Sequence, residues 1–188
     1  MNRDMPRERS DDMARVLEKG LVHVYMGDGK GKTTSALGLV LRMTGAGGKS
    51  AVVQFMKGWP YSEIETLALL PGVTVVQTGR PDYLRPETLT TADFDEATRG
   101  MDAAREFLRS GWYDLVVLDE INVALSFGLI APKDVVAILE GKAVGTEVVL
   151  TGRNPPDEIL RLADLITDMR EVRHPYGKGL LARKGVDC

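Results

Sequence analysis

Short, mainly apolar runs recur along the chain and alternate with longer segments in which apolar residues repeat every three or four positions. Runs of four to six such residues, bounded by turn-forming or charged residues, are typical of strands that are buried on both faces. The pattern predicts six strands, over residues 21–26, 50–55, 73–77, 115–118, 147–150 and 165–169.

The segments between these strands carry the periodicity of helices. The clearest helix is predicted over residues 93–109, and others over 34–43 and 158–163. In the helix over 93–109, apolar residues spaced by three and four form one stripe that we expect to be buried. Its members are Phe94, Ala97, Met101, Ala104 and Leu108. Strands that alternate with helices predict an α/β fold, with one domain over residues 21–188, a mostly parallel sheet of about six strands and helices on both faces.

The turn between the first strand and the first helix has the composition of a phosphate-binding loop. Its residues are Gly27, Asp28, Gly29, Lys30, Gly31, Lys32, Thr33 and Thr34. Glycines allow consecutive N–H groups to turn towards a polyanion, and the helix N-terminus adds its dipole. Lys32 can reach terminal phosphates, and the Thr33 hydroxyl is suited to ligate Mg²⁺. Met26 stands where the strict motif has its first glycine, so a glycine-rich turn without a ligand is the alternative.

A second candidate segment is the apolar run that ends in Asp119 and Glu120. Because parallel strands carry ligand sites at their carboxyl ends, these two carboxylates are expected beside the phosphate-binding loop. One or both can hold Mg²⁺, directly or through water. Neighbouring residues of a strand point to opposite faces, so both can serve the metal only if the strand turns there. Together the two segments predict a P-loop NTPase-like fold that binds ATP and Mg²⁺.

Composition and charge exclude several other classes of function. With 24 basic and 27 acidic residues among 188, the chain has no general attraction to nucleic acid. The only cysteine is Cys188, which suggests a reducing compartment. No apolar run is long enough for a membrane span, and the N-terminus lacks a signal peptide. We therefore predict a cytoplasmic protein that binds neither nucleic acid nor membranes.

Two segments fall outside the regular alternation. Residues 1–20 are highly charged and predict a helical segment, with Ser10 as N-cap and Val16 and Leu17 in a narrow apolar stripe. This segment could close over the nucleotide site as a lid, or it could be a frayed tail. Residues 79–92 form a long loop that contains Arg80 and Tyr83, and either a functional loop or an ordinary surface loop agrees with that composition.

Several motifs in a fixed order resemble one known family. They are residues 27–34, then VQFMKG at 53–58, VLDEIN at 117–122, TGRN at 151–154 and HPY at 174–176. Each motif is generic, but their order and spacing resemble the P-loop ATP:corrinoid adenosyltransferases of cobalamin biosynthesis and salvage, from about residue 19 to 187. The loop of that family also lacks the first glycine of the strict motif.

The resemblance implies a group transfer without a protein nucleophile. Cobalt(I) of a reduced corrinoid would attack C5′ of ATP and release triphosphate. The phosphate-binding loop would hold the triphosphate, with Lys30 and Lys32 as cationic partners, and Mg²⁺ would be held by Thr33 with Asp119, Glu120 or both. Catalysis would come from alignment and from charge stabilisation, in which Lys32 and Arg153 are the candidate catalytic residues.

Further candidate contacts follow strand ends. Arg153 lies after the 147–150 strand and could contact a phosphate or the ribose, or form a surface ion pair. Gln54 and Asn154 are weaker candidates of the same kind. Lys57 could approach the nucleotide or the corrinoid.

The corrinoid side departs from the family pattern. Known members carry Phe-Thr-Trp after the glycine that corresponds to Gly79, and these aromatic residues exclude the lower ligand of cobalt. Here the stretch contains Tyr83 as its only aromatic residue, so Tyr83 or another residue such as Trp59 would have this role. The resemblance also implies a homodimer and a reductant, expected to be a reduced flavoprotein.

Two other functions agree with the loop and the acidic strand end alone. One is an ATP hydrolase or kinase, although no water-positioning residue is evident in the sequence. The other is an ATP-sensing binding module without chemistry, in which the N-terminal segment would be the moving part.

Overall fold

The computed structural model describes residues 15–82 and 84–187 and contains all six predicted strands. The strands are β1 (Val22–Met26), β2 (Ser50–Gln54), β3 (Val73–Gln77), β4 (Leu115–Asp119), β5 (Glu147–Thr151) and β6 (Leu165–Asp168). The α-helices are α1 (Lys32–Gly45), α2 (Ser62–Leu67), α3 (Thr91–Ser110), α4 (Ile121–Ser126), α5 (Pro132–Glu140) and α6 (Asp157–Leu162). Two short 3₁₀ turns lie at Pro86–Thr88 and Pro175–Lys178.

The six strands form one sheet in the order β3-β2-β4-β5-β1-β6, and every pairing is parallel. All five residues of β4 are buried because helices cover both of its faces. Val116 and Leu118 pack with residues of α3 and α5, whereas Leu115 and Val117 pack with residues of α1. The predicted α/β class, the parallel sheet and the helices on both faces are confirmed.

Helix α3 buries most of the predicted apolar stripe, but the prediction is wrong for Phe94. Ala97, Met101, Ala104 and Leu108 are buried, whereas Phe94 is 44% exposed. The adjacent Asp93 is buried instead, because its carboxylate accepts hydrogen bonds from the backbone N–H and the hydroxyl of Thr90 and caps the helix.

The segment before β1 runs along the amino ends of the strands. The Val16 N–H donates to Asp114 Oδ1 (3.2 Å), and the Gly20 N–H donates to the Val144 carbonyl (2.8 Å). With these groups bound elsewhere, residues 15–20 do not form a helix, so the predicted N-terminal helix does not extend into them. The rest of that prediction, a helical segment over residues 1–14 that could act as a lid, lies outside the described residues.

Strand β6 differs from the central strands because no helix among the described residues covers it. All four of its residues are exposed, including Leu165 and Ile166, which point to opposite faces of the sheet. It pairs only with β1 and is an edge of the sheet. None of the helices in the described part of the chain is long and apolar enough to cross a membrane.

Candidate active site

The loop between β1 and α1 has the backbone that its glycines predict. Gly27 and Gly31 have φ angles of 97° and 116°, in the left-handed region that favours glycine. Gly29 lies against the segment after β6: its N–H donates to the Met169 carbonyl, and a Cβ added to Gly29 would lie 2.6 Å from that oxygen. The loop is therefore fixed between the ends of β1 and β6, and α1 begins directly at Lys32.

The Lys32 ammonium lies inside the curve of this loop. Its Nζ donates to the carbonyls of Gly27 (2.6 Å) and Gly29 (2.7 Å). Burial lowers the pKa of Lys32 from its usual value, and the neighbouring Glu120 opposes this effect. The positive charge is thus held among the loop residues that are predicted to surround a polyanion.

Asp119, at the end of β4, is the centre of a buried polar cluster. Its Oδ1 accepts hydrogen bonds from the hydroxyls of Thr33 (2.8 Å) and Thr151 (2.7 Å). Its Oδ2 accepts from Lys57 Nζ (2.7 Å) and from Gln54 Nε2 (3.3 Å). Asp119 has no exposed surface, and both oxygens are occupied by two donors each. Four elements of the sheet edge, the phosphate-binding loop among them, are joined through this one carboxylate.

Glu120 lies beside Asp119 but faces a different environment. It has a φ of 61°, so the chain turns sharply after β4, and its backbone N–H donates to Thr151 Oγ1 (2.9 Å). Its half-buried side chain lines the cavity next to Lys32 and Thr33. Burial, and then the negative charge of Asp119, raise the pKa of Glu120. The chain therefore turns at Glu120, as is required if Asp119 and Glu120 are to serve one metal site.

Lys57, four residues before Tyr61, is the site residue whose role the sequence left open. Its Nζ lies 2.7 Å from Asp119 Oδ2, 3.3 Å from Thr33 Oγ1 and 5.2 Å from the centre of the Tyr61 ring. Burial by itself lowers the pKa of Lys57, but the carboxylates of Asp119 and Glu120 outweigh it and the pKa is raised. A signal for this contact was available, since Lys57 follows β2, the strand next to β4.

The structure places Gln54 inside the protein. It is fully buried, and besides Asp119 its side chain contacts Glu63 (3.5 Å) and accepts a hydrogen bond from Gln77 (3.1 Å). These surroundings do not favour a contact between Gln54 and the nucleotide. Gln54 fixes the orientation of Asp119 instead.

Arg153 and Asn154 lie after β5, on the outer side of the phosphate-binding loop. Arg153 Nε is 3.3 Å from Asp28 Oδ1, and its Nη2 donates to the Asp28 carbonyl. Both side chains of this ion pair are more than half exposed. Asn154 is also exposed and has a φ of 52°. Arg153 thus lies beside the loop and forms a surface ion pair with it, which is one of the two alternatives that the sequence left open.

The end of the chain contacts the loop, which sequence reasoning missed. Lys30 Nζ donates to the Val186 carbonyl (2.7 Å) and to the Asp187 carboxylate, which also accepts from Arg183 Nε (2.9 Å). These contacts hold the pKa of Asp187 below its usual range, with Lys30 the main cause. Lys30 and Asp187 are 157 positions apart, so no local pattern could have indicated the pair.

These groups surround a cavity of about 700 Å³. Lys32, Thr33, Lys57 and Glu120 lie on its polar side. Its apolar side is formed by helices α1 and α2 and the turn after α2, through Leu37, Leu41, Leu67 and Leu70. Residues 185–187 close one margin. The volume lies within the range of small-molecule sites, and the division into polar and apolar walls suits a ligand with a charged and an apolar part.

The sequence was then compared with known proteins. A family model of the ATP:corrinoid adenosyltransferases BtuR/CobO/CobP matches residues 18–188. The chain belongs to the ATP:corrinoid adenosyltransferase family. The resemblance inferred from the motifs is confirmed, and the match covers the phosphate-binding loop, both carboxylates and the C-terminal segment. A hydrolase or kinase and an ATP-sensing module are not favoured by this membership.

Individual relatives agree with the family assignment. The chain is 38% identical to a corrinoid adenosyltransferase of Sinorhizobium sp. over 173 residues, which are 90% of this chain and 81% of that protein. It is 32% identical to a corrinoid adenosyltransferase of Escherichia coli strain K12, over 90% of this chain and 86% of that protein. It is 40% identical to an uncharacterised protein of Nostoc sp. strain PCC 7120, but spans only 47% of that protein's length.

The candidate corrinoid contacts lie in the segments that follow β2 and β3. Tyr83 lies outside the described residues. Arg80, which precedes it, binds the buried Asp93 through Nε (2.7 Å) and Nη2 (3.0 Å) and so fixes the start of the loop against α3. Trp59, the other aromatic candidate, is 56% exposed, and its carbonyl accepts a hydrogen bond from Gln77.

The oxygen atoms at the cavity fit a hard divalent cation. Thr33 and Glu120 line the cavity, and the Thr33 hydroxyl donates its proton to Asp119. The Thr33 oxygen accepts a hydrogen bond from Lys57 (3.3 Å) and keeps a second lone pair for a cation. Within residues 15–82 and 84–187, no group of three His, Cys, Asp or Glu side chains could form a metal site alone. Mg²⁺ is usually bound by few carboxylates together with substrate phosphates and water, and the oxygens of Thr33 and Glu120 at the cavity suit such a site.

Proposed function

We propose that this chain transfers the 5′-deoxyadenosyl group of ATP to the Co(I) centre of a corrinoid. The electron pair of Co(I) forms the bond to C5′, the bond between C5′ and its oxygen breaks, and that oxygen leaves with its electron pair as part of triphosphate. The observation that carries the proposal is the family-model match over residues 18–188, which includes the phosphate-binding loop. Cobalamin biosynthesis or salvage is the pathway to which such a reaction belongs.

The chain's own residues act on the leaving group. The N–H groups of the phosphate-binding loop and the Lys32 ammonium bind the triphosphate, and this charge becomes more valuable as the C5′–O bond breaks. Lys30 and Arg153 are additional cationic contacts on the outer side. Their present partners are the carboxylates of Asp187, 21% exposed, and Asp28, 78% exposed, and a polyanion can replace them.

We assign the metal contacts to Thr33 and Glu120, with Asp119 orienting Thr33. This division is supported by the contacts, since both oxygens of Asp119 are already occupied whereas Glu120 faces the cavity. Mg²⁺, when bound, would supply positive charge to the triphosphate. Gln54 and Thr151 support Asp119 from behind.

For the corrinoid we propose that Tyr83, or else Trp59, excludes the lower ligand of cobalt. Tyr83→Ala should then strongly slow the reaction when cobalt is supplied as Co(II), which must lose that ligand before reduction. It should have little effect with four-coordinate Co(I), and ATP affinity should not change. Equal losses in both assays would assign Tyr83 to binding or folding, and no loss in either would move the role to Trp59.

The proposal also includes a reductant, a homodimer, a lid and a cellular location. A reduced flavoprotein would generate Co(I). A homodimer is supported by the exposed edge strand β6, with Leu165 and Ile166 uncovered on its two faces. Residues before Leu21 would act as a lid over the nucleotide site. Residues 15–20 run at the amino ends of the strands, away from the phosphate-binding loop. Such a lid would therefore need residues 1–14. A cytoplasmic location stays a prediction of the sequence.

The proposal is tested by product analysis. The protein is incubated with Mg-ATP and a chemically reduced corrinoid, and both the phosphate product and the cobalt product are identified. Triphosphate together with a light-sensitive organocobalt compound, in equal amounts, is expected. ADP and phosphate would indicate hydrolysis, and unchanged ATP with measurable affinity would indicate a sensing module.

A further inference from the structure

Lys57 places a positive charge between Thr33, a proposed metal contact, and Asp119, which orients Thr33. Its Nζ lies 2.7 Å from Asp119 Oδ2 and 3.3 Å from Thr33 Oγ1, and its side chain is only 13% exposed. We infer that Lys57 is the resident cation of this site, which holds Thr33 and Asp119 in place until a divalent cation displaces it. The inference rests on the proposed metal role of Thr33.

The first argument is the charge that Asp119 requires. A carboxylate without any exposed surface is strongly disfavoured unless it is paired and hydrogen-bonded. Among the four side chains that contact it, Thr33, Thr151 and Gln54 are neutral, and Lys57 carries the only formal positive charge. Lys57 therefore supplies the positive charge that offsets the burial of the Asp119 carboxylate and keeps it ordered before any metal arrives.

The second argument is competition for the same oxygen. The Thr33 hydroxyl donates its proton to Asp119 and accepts a hydrogen bond from Lys57. A metal that used this oxygen would lie close to the Lys57 ammonium, and two like charges at such a distance repel each other. Free Mg²⁺ should consequently bind poorly, and it should bind well when the negative charge of a triphosphate arrives with it. The lysine would thus couple metal binding to nucleotide binding.

The inference is tested by metal binding without nucleotide, corrinoid or turnover. Mn²⁺ is used as the probe, and free and bound Mn²⁺ are measured by electron paramagnetic resonance on the full chain. Lys57→Gln keeps an N–H donor for Asp119 but removes the charge. We expect it to bind Mn²⁺ about 5- to 150-fold more tightly than the wild type, the usual range for coupling between two sites.

The matched control is Lys30→Gln, which removes a lysine charge from the phosphate-binding loop at the same cavity. Lys30 contacts Val186 and Asp187, and no contact with Thr33 or Asp119 is found for it. Its Mn²⁺ affinity without nucleotide should stay within about twofold of the wild type, since exposed charges are strongly screened. A similar gain in both variants would overturn the inference, because it would show a general charge effect and not displacement of Lys57.

A second measurement covers the possibility that the variants fold poorly. In Lys57→Met, Asp119 loses its charged partner, so Mg²⁺ alone should raise the melting temperature of this variant and leave that of the wild type nearly unchanged. Equal effects of Mg²⁺ on the two proteins would contradict the inference.

Adding ATP separates this inference from the proposed function. Wild-type protein that binds Mn²⁺ with ATP, while Lys57→Gln shows no gain without ATP, would retain the metal site and overturn only the role of Lys57. Wild-type protein that binds no Mn²⁺ even with ATP would overturn both.

Discussion

The two sides of the phosphate-binding loop carry similar charges in very different surroundings. On the inner side, Lys57 and Asp119 form an ion pair in which the carboxylate has no exposed surface and the lysine side chain is 13% exposed. On the outer side, Arg153 and Asp28 form an ion pair whose side chains are 56% and 78% exposed. We call these the inner and outer clusters, with Lys32 and Thr33 in the inner one and Lys30 and Asp187 in the outer one.

The difference teaches which contacts are suited to catalysis. Asp119 ends the buried strand β4, and hydrogen bonds to Asp119 hold Thr33 and Lys57. Lys32 is held by two carbonyls of the phosphate-binding loop. These positions are fixed before a ligand binds, and a fixed charge stabilises a transition state without reorganisation. Exposed ion pairs contribute only about 0–1 kcal/mol and are readily exchanged. The inner cluster should therefore control the rate, and the outer cluster should mainly affect binding.

Lys32→Ala should give the largest effect, because it removes the inner charge that faces the leaving group. A preorganised electrostatic contact is worth about 2–4 kcal/mol in the transition state, which is a rate loss of about thirtyfold to a thousandfold. The rate of organocobalt formation at saturating ATP measures it, with circular dichroism as the check on folding. Near-wild-type transfer by a folded Lys32→Ala protein would contradict the inner assignment.

Asp119→Asn should mainly reduce stability. It leaves the Lys57 ammonium buried without its carboxylate, and breaking a buried pair in this way costs about 3–5 kcal/mol. Urea unfolding would measure the loss, with Asp28→Asn in the outer cluster as the matched variant, for which we expect a change within about 0.5 kcal/mol. Equal changes in the two variants would remove the distinction between the clusters.

Thr33→Ala and Glu120→Gln should raise the Mg²⁺ concentration needed for activity, since each removes an oxygen ligand or a charge. Burial raises the pKa of Glu120 above its ordinary 4.5. Mg²⁺ affinity should therefore fall as the pH drops through the raised pKa. This fall in affinity should be missing in Glu120→Gln. Without metal, the folded protein keeps this proton to a higher pH than the unfolded chain does. Stability should therefore decrease as the pH rises from about 4.5 through the raised pKa. A variant with unchanged metal dependence does not hold the metal.

Arg153→Ala should have the smallest effect. Its ion pair is exposed, so we expect a few-fold increase in KM for ATP, about 1 kcal/mol or less, with little change in kcat. Steady-state kinetics distinguish this from the loss in Lys32→Ala. A fall in kcat as large as that of Lys32→Ala would give Arg153 a catalytic role and break the comparison.

The inner cluster was largely predictable from the sequence, and the outer one was not. Parallel strands read as apolar runs, so all six were found, the exposed edge strand β6 included, and the carboxyl-edge rule placed Asp119 and Glu120 beside Thr33. The Lys30–Asp187 contact joins residues that are 157 positions apart, and no periodicity reports such a pair. The nucleotide contact of Gln54 stays a prediction, because a strand-end amide looks the same in sequence whether it faces a ligand or a buried carboxylate such as Asp119.

The most direct test of the central claim is to determine which bond of ATP breaks. ATP carrying ¹⁸O in the oxygen that joins C5′ to the α-phosphorus is incubated with the protein, Mg²⁺ and a Co(I) corrinoid, and the products are analysed by mass spectrometry. Adenosyl transfer predicts that all of the label leaves with triphosphate, because the C5′–O bond is broken. Label that remains on an adenosine-containing product, with ADP or AMP formed, would show cleavage at phosphorus and would contradict the account.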